Sequence, residues 1–156
     1  AEAATKGLNV TLDIPDQPLL IQADPYCIEQ SVGNLLDNAI KYTAEGSVGV
    51  EVAAHDGVVR LTVRDTGIGI SEPYLESVFE AFSQEVHGYA RPYEGLGLGL
   101  ALTRHYVEFN GGSITVESTK GVGSKFHVCF PQHRQSSVAS SKTAAQDAVL
   151  ASSSKA

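Results

Sequence analysis

The sequence predicts an α+β fold, a two-layer sandwich with helices on one face of a mixed sheet. Two segments place apolar residues at helical spacing, strand pairs flank both of them, and the strict strand–helix–strand repeat of an all-parallel sheet is missing. A chain of 156 residues holds one ordinary domain plus a tail.

At the front, Leu8, Val10, Leu12 and Ile14 alternate with polar residues, and Leu19 to Ile21 follow a proline-containing turn. Two short strands are expected there. Asp24-Pro25 is a helix-capping residue followed by proline at the first helical position. Ile28, Val32, Leu35, Leu36, Ala39 and Ile40 then recur at helical spacing, predicting a helix to about Tyr42. Ser47 to Ala54 and Val58 to Arg64 alternate as half-buried strands do, and Asp56-Gly57 between them is a hairpin turn signal. From Asp65 to Gly99 glycines break the pattern, apart from a short helical piece around Tyr74 to Phe79; Ser83 to Glu94 have no clear period. A second helix over Leu100 to Phe109 is stopped by Asn110-Gly111-Gly112, and Ser113 to Ser118 and Ser124 to Phe130 form a closing strand pair. Residues 132–156 are rich in Ser and Ala and offer little to bury on either period, so the domain is expected to occupy 1–131, with a disordered tail or linker after it.

Composition narrows the function. Apolar residues make up 42% and charged residues 19%, enough for a real core. Eleven Lys and Arg against eighteen Asp and Glu give a net charge of −7, the wrong sign for general nucleic-acid or anionic-membrane binding. No apolar run approaches the ~18 residues of a membrane span, and the N-terminus lacks a signal-peptide pattern, so a soluble, cytoplasmic domain without direct membrane contact is expected. Cys27 and Cys129 are isolated, without CxxC or paired-histidine spacing, and are expected to be buried thiols rather than a disulfide.

Three elements could carry chemistry. On the first long helix Asn34, Asn38 and Lys41 fall on one narrow stripe opposite the apolar face. An amide oxygen suits Mg²⁺ and an ammonium can neutralise a phosphate, although a solvated helix face has the same look. Next, Asp65-Thr66-Gly67-Ile68-Gly69-Ile70 ends a strand, where the carboxylate can accept a hydrogen bond from an amine and the glycines allow close backbone approach; an Asp-capped turn is the plain alternative. Last, Gly95-Leu96-Gly97-Leu98-Gly99-Leu100 opens the second long helix and offers backbone N–H groups and a positive helix end to phosphates. It is neither a GxxxxGK[ST] loop nor GxGxxG.

The joint pattern is far more specific than its parts. NLLDNAIKYT at 34–43, DTGIGI at 65–70, VFEAFSQ at 78–84 and GLGLGLAL at 95–102 resemble the N, G1, F and G2 boxes of the ATP-binding catalytic domain of sensor histidine kinases. The resemblance runs from about Leu8 to Pro131. It implies the Bergerat α/β sandwich shared with gyrase and MutL, with a flexible ATP lid, and the cofactors ATP and Mg²⁺. By resemblance, Asn38 would coordinate Mg²⁺ with Asn34 beside it, Lys41 would meet phosphate oxygens, and Tyr42 would pack near the adenine. Asp65 would accept the adenine amine, Gly67 and Gly69 would let the backbone pass close to the base, and Ile68 and Ile70 would wall it. Gln84 to Glu94 would be the lid, hinged on Phe79 and Phe82, with Gly95, Leu96, Gly97, Leu98, Gly99 and Leu100 over the phosphates. Arg91, the only cation in that lid, would reach the γ-phosphate or simply be solvated, and the Ser124 hydroxyl would reach adenine through water or simply be a serine at the start of a strand.

Related ATPases such as gyrase carry a water-activating glutamate four residues before the metal-binding asparagine, whereas this sequence has Asn34 there. An amide is no general base at neutral pH, so phosphoryl transfer is expected rather than hydrolysis. None of His55, His87, His105, His127 or His133 lies in the H-E-x-x-[TN]-P context of the family's acceptor histidine. The resemblance therefore implies a protein-histidine kinase domain whose partners are a histidine-bearing dimerisation domain and, downstream, a response regulator. The alternatives are a stand-alone serine kinase of the anti-sigma-factor type, which usually has glutamate where Asn34 stands, and a non-catalytic docking module of the same fold.

Overall fold

The structure is a computed structural model that describes residues 1–81 and 98–134. The expected tail beyond residue 134, and the lid with Phe82, His87, Arg91, Gly95, Leu96 and Gly97, lie outside the described residues. The elements run α1 (Glu2–Lys6), β1 (Asn9–Asp13), α2 (Pro25–Lys41), β2 (Ser47–His55), β3 (Val58–Asp65), α3 (Glu72–Leu75), α4 (Gly99–Phe109), β4 (Ser113–Thr119) and β5 (Gly123–Pro131). The strands form one sheet in the order β1-β2-β3-β5-β4. It is mixed, as expected: β1 pairs parallel with β2, and all other pairs are antiparallel.

Local chemistry sets each main element. Asp24 caps α2 by accepting the Tyr26 N–H at 2.9 Å, and Pro25 follows at the position where a missing N–H costs nothing. The hairpin turns at Asp56 (φ 51) and Gly57 (φ 77); a two-residue turn of this hand needs positive φ at both central positions. That turn pairs His55 with Val58 and carries the register through to Val48 opposite Asp65. Leu35 and Ala39 of α2 and Val107 of α4 meet Val48, Val63, Phe126, Val128 and Phe130 of the sheet in one core. The opposite face of the sheet is polar, with Thr62 and Glu117 both hydrogen-bonded to His127.

The two long helices run antiparallel. The Asp24 N–H at the start of α2 donates to Asn110 Oδ1 beyond the end of α4 at 2.8 Å, and Tyr26 meets Tyr106 edge-on at 6.1 Å. At the other end of α2, Lys6 Nζ donates to the carbonyls of Ile40 (2.7 Å) and Lys41 (3.2 Å), which caps the last turn of α2 from α1.

Three expectations are corrected. Leu19 to Ile21 form no strand: Leu20 gives its carbonyl to the His133 N–H at 2.7 Å, while Leu19 and Ile21 line an apolar groove with Ile28 and Val52. Pro18, which has no N–H, stands at the start of that segment and works against a ladder there. The front alternation does make β1, but only Leu8 is buried; Val10 and Leu12 are 58% and 68% exposed because β1 is an edge strand beyond the helix layer. Cys27 is buried as expected, whereas Cys129 faces the polar side of the sheet and is only half-buried. The short helix α1 was not legible at all; it is closed by Gly7 in the left-handed conformation.

Candidate functional site

Three segments distant in sequence meet around the C-terminal half of α2. The Tyr42 N–H donates to the Asn38 carbonyl at 2.9 Å, and the Tyr42 carbonyl accepts the Ile68 N–H at 3.1 Å, so the loop after β3 is tied to the helix end. On the other flank, Asn34 Nδ2 donates to the Gly99 carbonyl (3.4 Å) and to Thr103 Oγ1 (3.3 Å), joining α2 to the first turn of α4. Asn34, Asn38 and Lys41 are half-buried rather than a freely solvated stripe, and α4 stands beside Asn34. The Asn38 amide makes no hydrogen bond among the described residues. Lys41 Nζ lies 5.6 Å from the centre of the Tyr42 ring.

Asp65 closes β3 and is half-buried. Its Oδ1 accepts the Gly67 N–H at 2.9 Å. Burial pushes the carboxyl above its ordinary value of 3.8, against the lowering effect of hydrogen bonds from the Gly67 and Ser124 backbone. Among the described residues no cation pairs with it. The proton linkage has a definite sign. Ionisation is harder in the folded protein than in the unfolded chain, so Asp65 subtracts stability as pH rises from 3.8 through its raised value. Conversely, a ligand that needs the carboxylate is released as pH falls through that raised value. Binding of any ligand held through this carboxylate should begin to fail in acid at a pH above 3.8 when titrated at a series of pH values, and Asp65→Asn should abolish this acid limb.

The loop after Asp65 is clamped on both sides by the protein's own backbone. A Cβ at Gly67 would collide with the Tyr42 carbonyl and come within 2.7 Å of Thr43 Oγ1. Gly69 has φ 68, and a Cβ there would collide with the Thr119 carbonyl. Ile70 donates its N–H to Ser118 Oγ at 2.8 Å, and the Ile68 carbonyl accepts the Gly121 N–H at 2.7 Å. Ile68 and Ile70 are half-buried, and Ile70 packs against the core. Ser124 sits opposite Asp65 in the β3–β5 ladder, with its hydroxyl 2.8 Å from that of Ser118.

At the start of α4, Leu98 occupies the cap position, and among the described residues no side chain caps the first turn. Leu98 is exposed, and Leu100 packs against the core. Phe79 meets Phe126 edge-on at 6.2 Å, so the segment entering the expected lid is anchored in the core. Among the described residues, no three His, Cys, Asp or Glu side chains are grouped to hold a metal. Any divalent ion here would depend on an amide such as Asn38 together with ligand oxygens and water.

Sequence reasoning missed three side chains in this region. Ser118 fixes the glycine loop from a strand 48 residues away, Thr103 receives Asn34, and Thr43 lies directly behind Gly67. Of these, only Thr43 left a signal, as the last residue of the NLLDNAIKYT stretch.

Residues 23–134 match the family described as "Histidine kinase-, DNA gyrase B-, and HSP90-like ATPase". The chain is 39% identical over 124 residues to the sensor protein GacS of Pseudomonas syringae pv. syringae, covering 76% of this chain and 14% of that protein. It is 38% identical over 117 residues to the sensor histidine kinase RcsC of Escherichia coli strain K12, covering 75% of this chain and 12% of that protein. Among solved structures, full-length ShkA in complex with AMPPNP superposes with a TM-score of 0.74 at 31% identity, over 86% of this chain and 28% of that one. The chain thus spans about one seventh or less of the two sensor proteins it matches. The fold agrees with these neighbours, no described helix is long and apolar enough to cross a membrane, and on the family match the chain belongs to the histidine kinase-, DNA gyrase B- and HSP90-like ATPases.

Proposed function

We propose that this chain is the ATP-binding catalytic domain of a two-component sensor histidine kinase, which passes the γ-phosphoryl group of Mg-ATP to a histidine on a separate helical dimerisation domain. The phosphohistidine would then serve a response regulator. The observation that carries the reading is Asp65, a half-buried carboxylate with a raised pKa and no cationic partner among the described residues, set beside a clamped glycine loop. A carboxylate so placed suits a neutral ligand that brings its own N–H donor, such as the adenine amine.

The rest of the site suits a phosphate chain. Lys41 brings an ammonium, the first turn of α4 offers backbone N–H groups, and Asn38 holds an unengaged amide oxygen that fits one position of a Mg²⁺ shell. Bound there, Mg²⁺ would neutralise charge on the phosphate oxygens during transfer. Asn34 uses its amide as a donor toward Gly99 and Thr103 and has no lone pair able to take a proton from water at neutral pH. That favours transfer to an external imidazole nitrogen, which bonds to the γ-phosphorus as the bond to the bridging oxygen breaks and ADP leaves. Arg91, in the expected lid, is the cation assigned to the γ-phosphate.

Calorimetric titration with a non-hydrolysable ATP analogue, with and without Mg²⁺ and against GTP, tests the premise. Adenine-selective, Mg²⁺-sensitive binding is expected, with phosphorylation appearing only when a histidine-bearing helical domain is supplied. Absence of binding by the folded chain would leave a docking module of the same fold as the better reading.

A further inference from the structure

Strand β1 is an edge of the sheet, and its row of Val10, Leu12 and, just beyond the strand, Ile14 is 58%, 68% and 53% exposed. Large apolar side chains in line on an unpaired edge are a template for another strand, and proteins usually blunt such an edge with a lysine, a proline or a bulge. None of these is present in β1: it reads NVTLD, and its register with β2 runs unbroken from Asn9 opposite Ser47 to Asp13 opposite Glu51. The Asn9 N–H donates to the Gly46 carbonyl at 2.9 Å, toward β2. Backbone groups of successive residues point to opposite edges of a strand, so those of Thr11 and Asp13 also turn toward β2. The N–H and C=O of Val10 and Leu12 therefore turn outward, where no described strand lies. Side chains alternate as well: Val10 and Leu12 share the helix side of the sheet with Val48 and Val50, while Thr11 lies on the polar face and accepts Arg64 Nη2 at 3.4 Å.

We propose that β1 is a self-pairing edge, at which a second copy of this chain adds its own β1 antiparallel about a two-fold axis through Thr11, perpendicular to the sheet. Turned about Thr11, the strand sets Val10 against Leu12 and Asn9 against Asp13 of the other copy. Val10 and Leu12 are the residues whose backbone groups face outward, so each Val10–Leu12 pair exchanges two backbone hydrogen bonds and brings its apolar side chains together. On the polar face, Thr11 meets Thr11 as a close pair, and the Asn9 amide can donate to the Asp13 carboxylate of the other copy, so the one charge of the strand meets a donor and never a second acid. A shift of one residue would set outward-facing groups against inward-facing ones. The contact is isologous, the same patch serving both copies. Where two copies are held on one dimerisation domain, so small a contact gains from their proximity. Nucleotide plays no part in the pairing, which is therefore tested separately from the kinase reading.

Three measurements on the full chain test it. Sedimentation velocity over about 10 μM to 1 mM should show monomer passing to dimer, as befits a small interface. Leu12→Lys puts a charge on the edge without touching the bonds to β2, and should weaken association by about tenfold or more while melting at the wild-type temperature. Cysteine cross-linking reads the register, because non-hydrogen-bonded antiparallel neighbours have Cα atoms about 4.5 Å apart, within disulfide range. Under oxidised glutathione, Thr11→Cys should cross-link to itself, Asn9→Cys alone should not, and Asn9→Cys mixed with Asp13→Cys should. Wild type, with its own Cys27 and Cys129, is the control and should stay uncross-linked. The proposal is overturned if wild type stays monomeric throughout, which would leave the edge to a strand of another protein. It is equally overturned if Leu12→Lys dimerises as wild type does, or if Asn9→Cys cross-links as readily as Thr11→Cys. Should Leu12→Lys fail to fold, the cysteine variants decide alone.

Discussion

Replacing Asp65 by Asn should lower affinity for adenine nucleotides by about 10- to 150-fold, the effect of about 1.5–3 kcal/mol for a hydrogen bond to a charged group. The substitution is nearly isosteric and keeps an oxygen able to accept the Gly67 N–H, so the loop retains its clamp on Tyr42 and Thr119. What changes is the second atom of the group: an acceptor becomes an NH₂ donor facing the amine of the base. Because the carboxyl is already destabilised by burial, the variant should melt at the same temperature as wild type or slightly higher near neutral pH. Loss of binding without loss of stability, measured by calorimetry and thermal melting on the same samples, is the expected signature. Unchanged affinity would remove Asp65 from the base contact.

The second large effect is expected at Asn38. Asn38→Ala should reduce phosphotransfer from Mg-ATP by about a hundredfold or more, since a correctly held metal contributes several kcal/mol at a transferring phosphoryl group. The fold should be undisturbed, because this amide has no partner among the described residues and alanine is a good helix former. Nucleotide affinity without Mg²⁺ should hardly move, while the gain normally brought by Mg²⁺ should disappear. An equal loss with and without the metal would mean that Asn38 contacts the nucleotide itself. Asn34→Ala provides an informative contrast, because its amide bridges to Gly99 and Thr103, and its removal should loosen α4 as well as the site.

Local signals in the sequence were strong where short-range physics decides the outcome. Asp24-Pro25 marks the start of α2, Asp56-Gly57 marks the hairpin, and the glycines after Phe109 mark the end of α4, because capping and turn chemistry involve neighbours only. The motifs for the site were equally visible. What the sequence did not reveal depends on long-range placement. The exposure of Val10 and Leu12 follows from β1 being at the sheet edge, which alternation cannot express. Leu19 to Ile21 are apolar and flanked by turn residues, yet they form no strand, and Leu19 and Ile21 line the groove instead. Ser118 and Thr43 gain their importance from a loop and a helix end that meet only in three dimensions. Gly67 and Gly69 also changed meaning: in the sequence they invite a ligand to approach, whereas in the fold a carbonyl of the protein occupies the side where each of these two Cβ atoms would stand.

The turn at Asp56 and Gly57 governs more than the shape of a hairpin. Along β3 the inward positions are Val59, Leu61, Val63 and finally Asp65, so the core-facing row of an otherwise apolar strand ends in an acid. The outward row is Arg60, Thr62 and Arg64. A slip of one residue would exchange the rows, bringing Arg64 to the place of Asp65 and replacing an acceptor by a cation at the mouth of the site. The handedness of a two-residue turn at one end of the hairpin thus selects, eight residues away at Asp65, the sign of the charge at the end of the core-facing row.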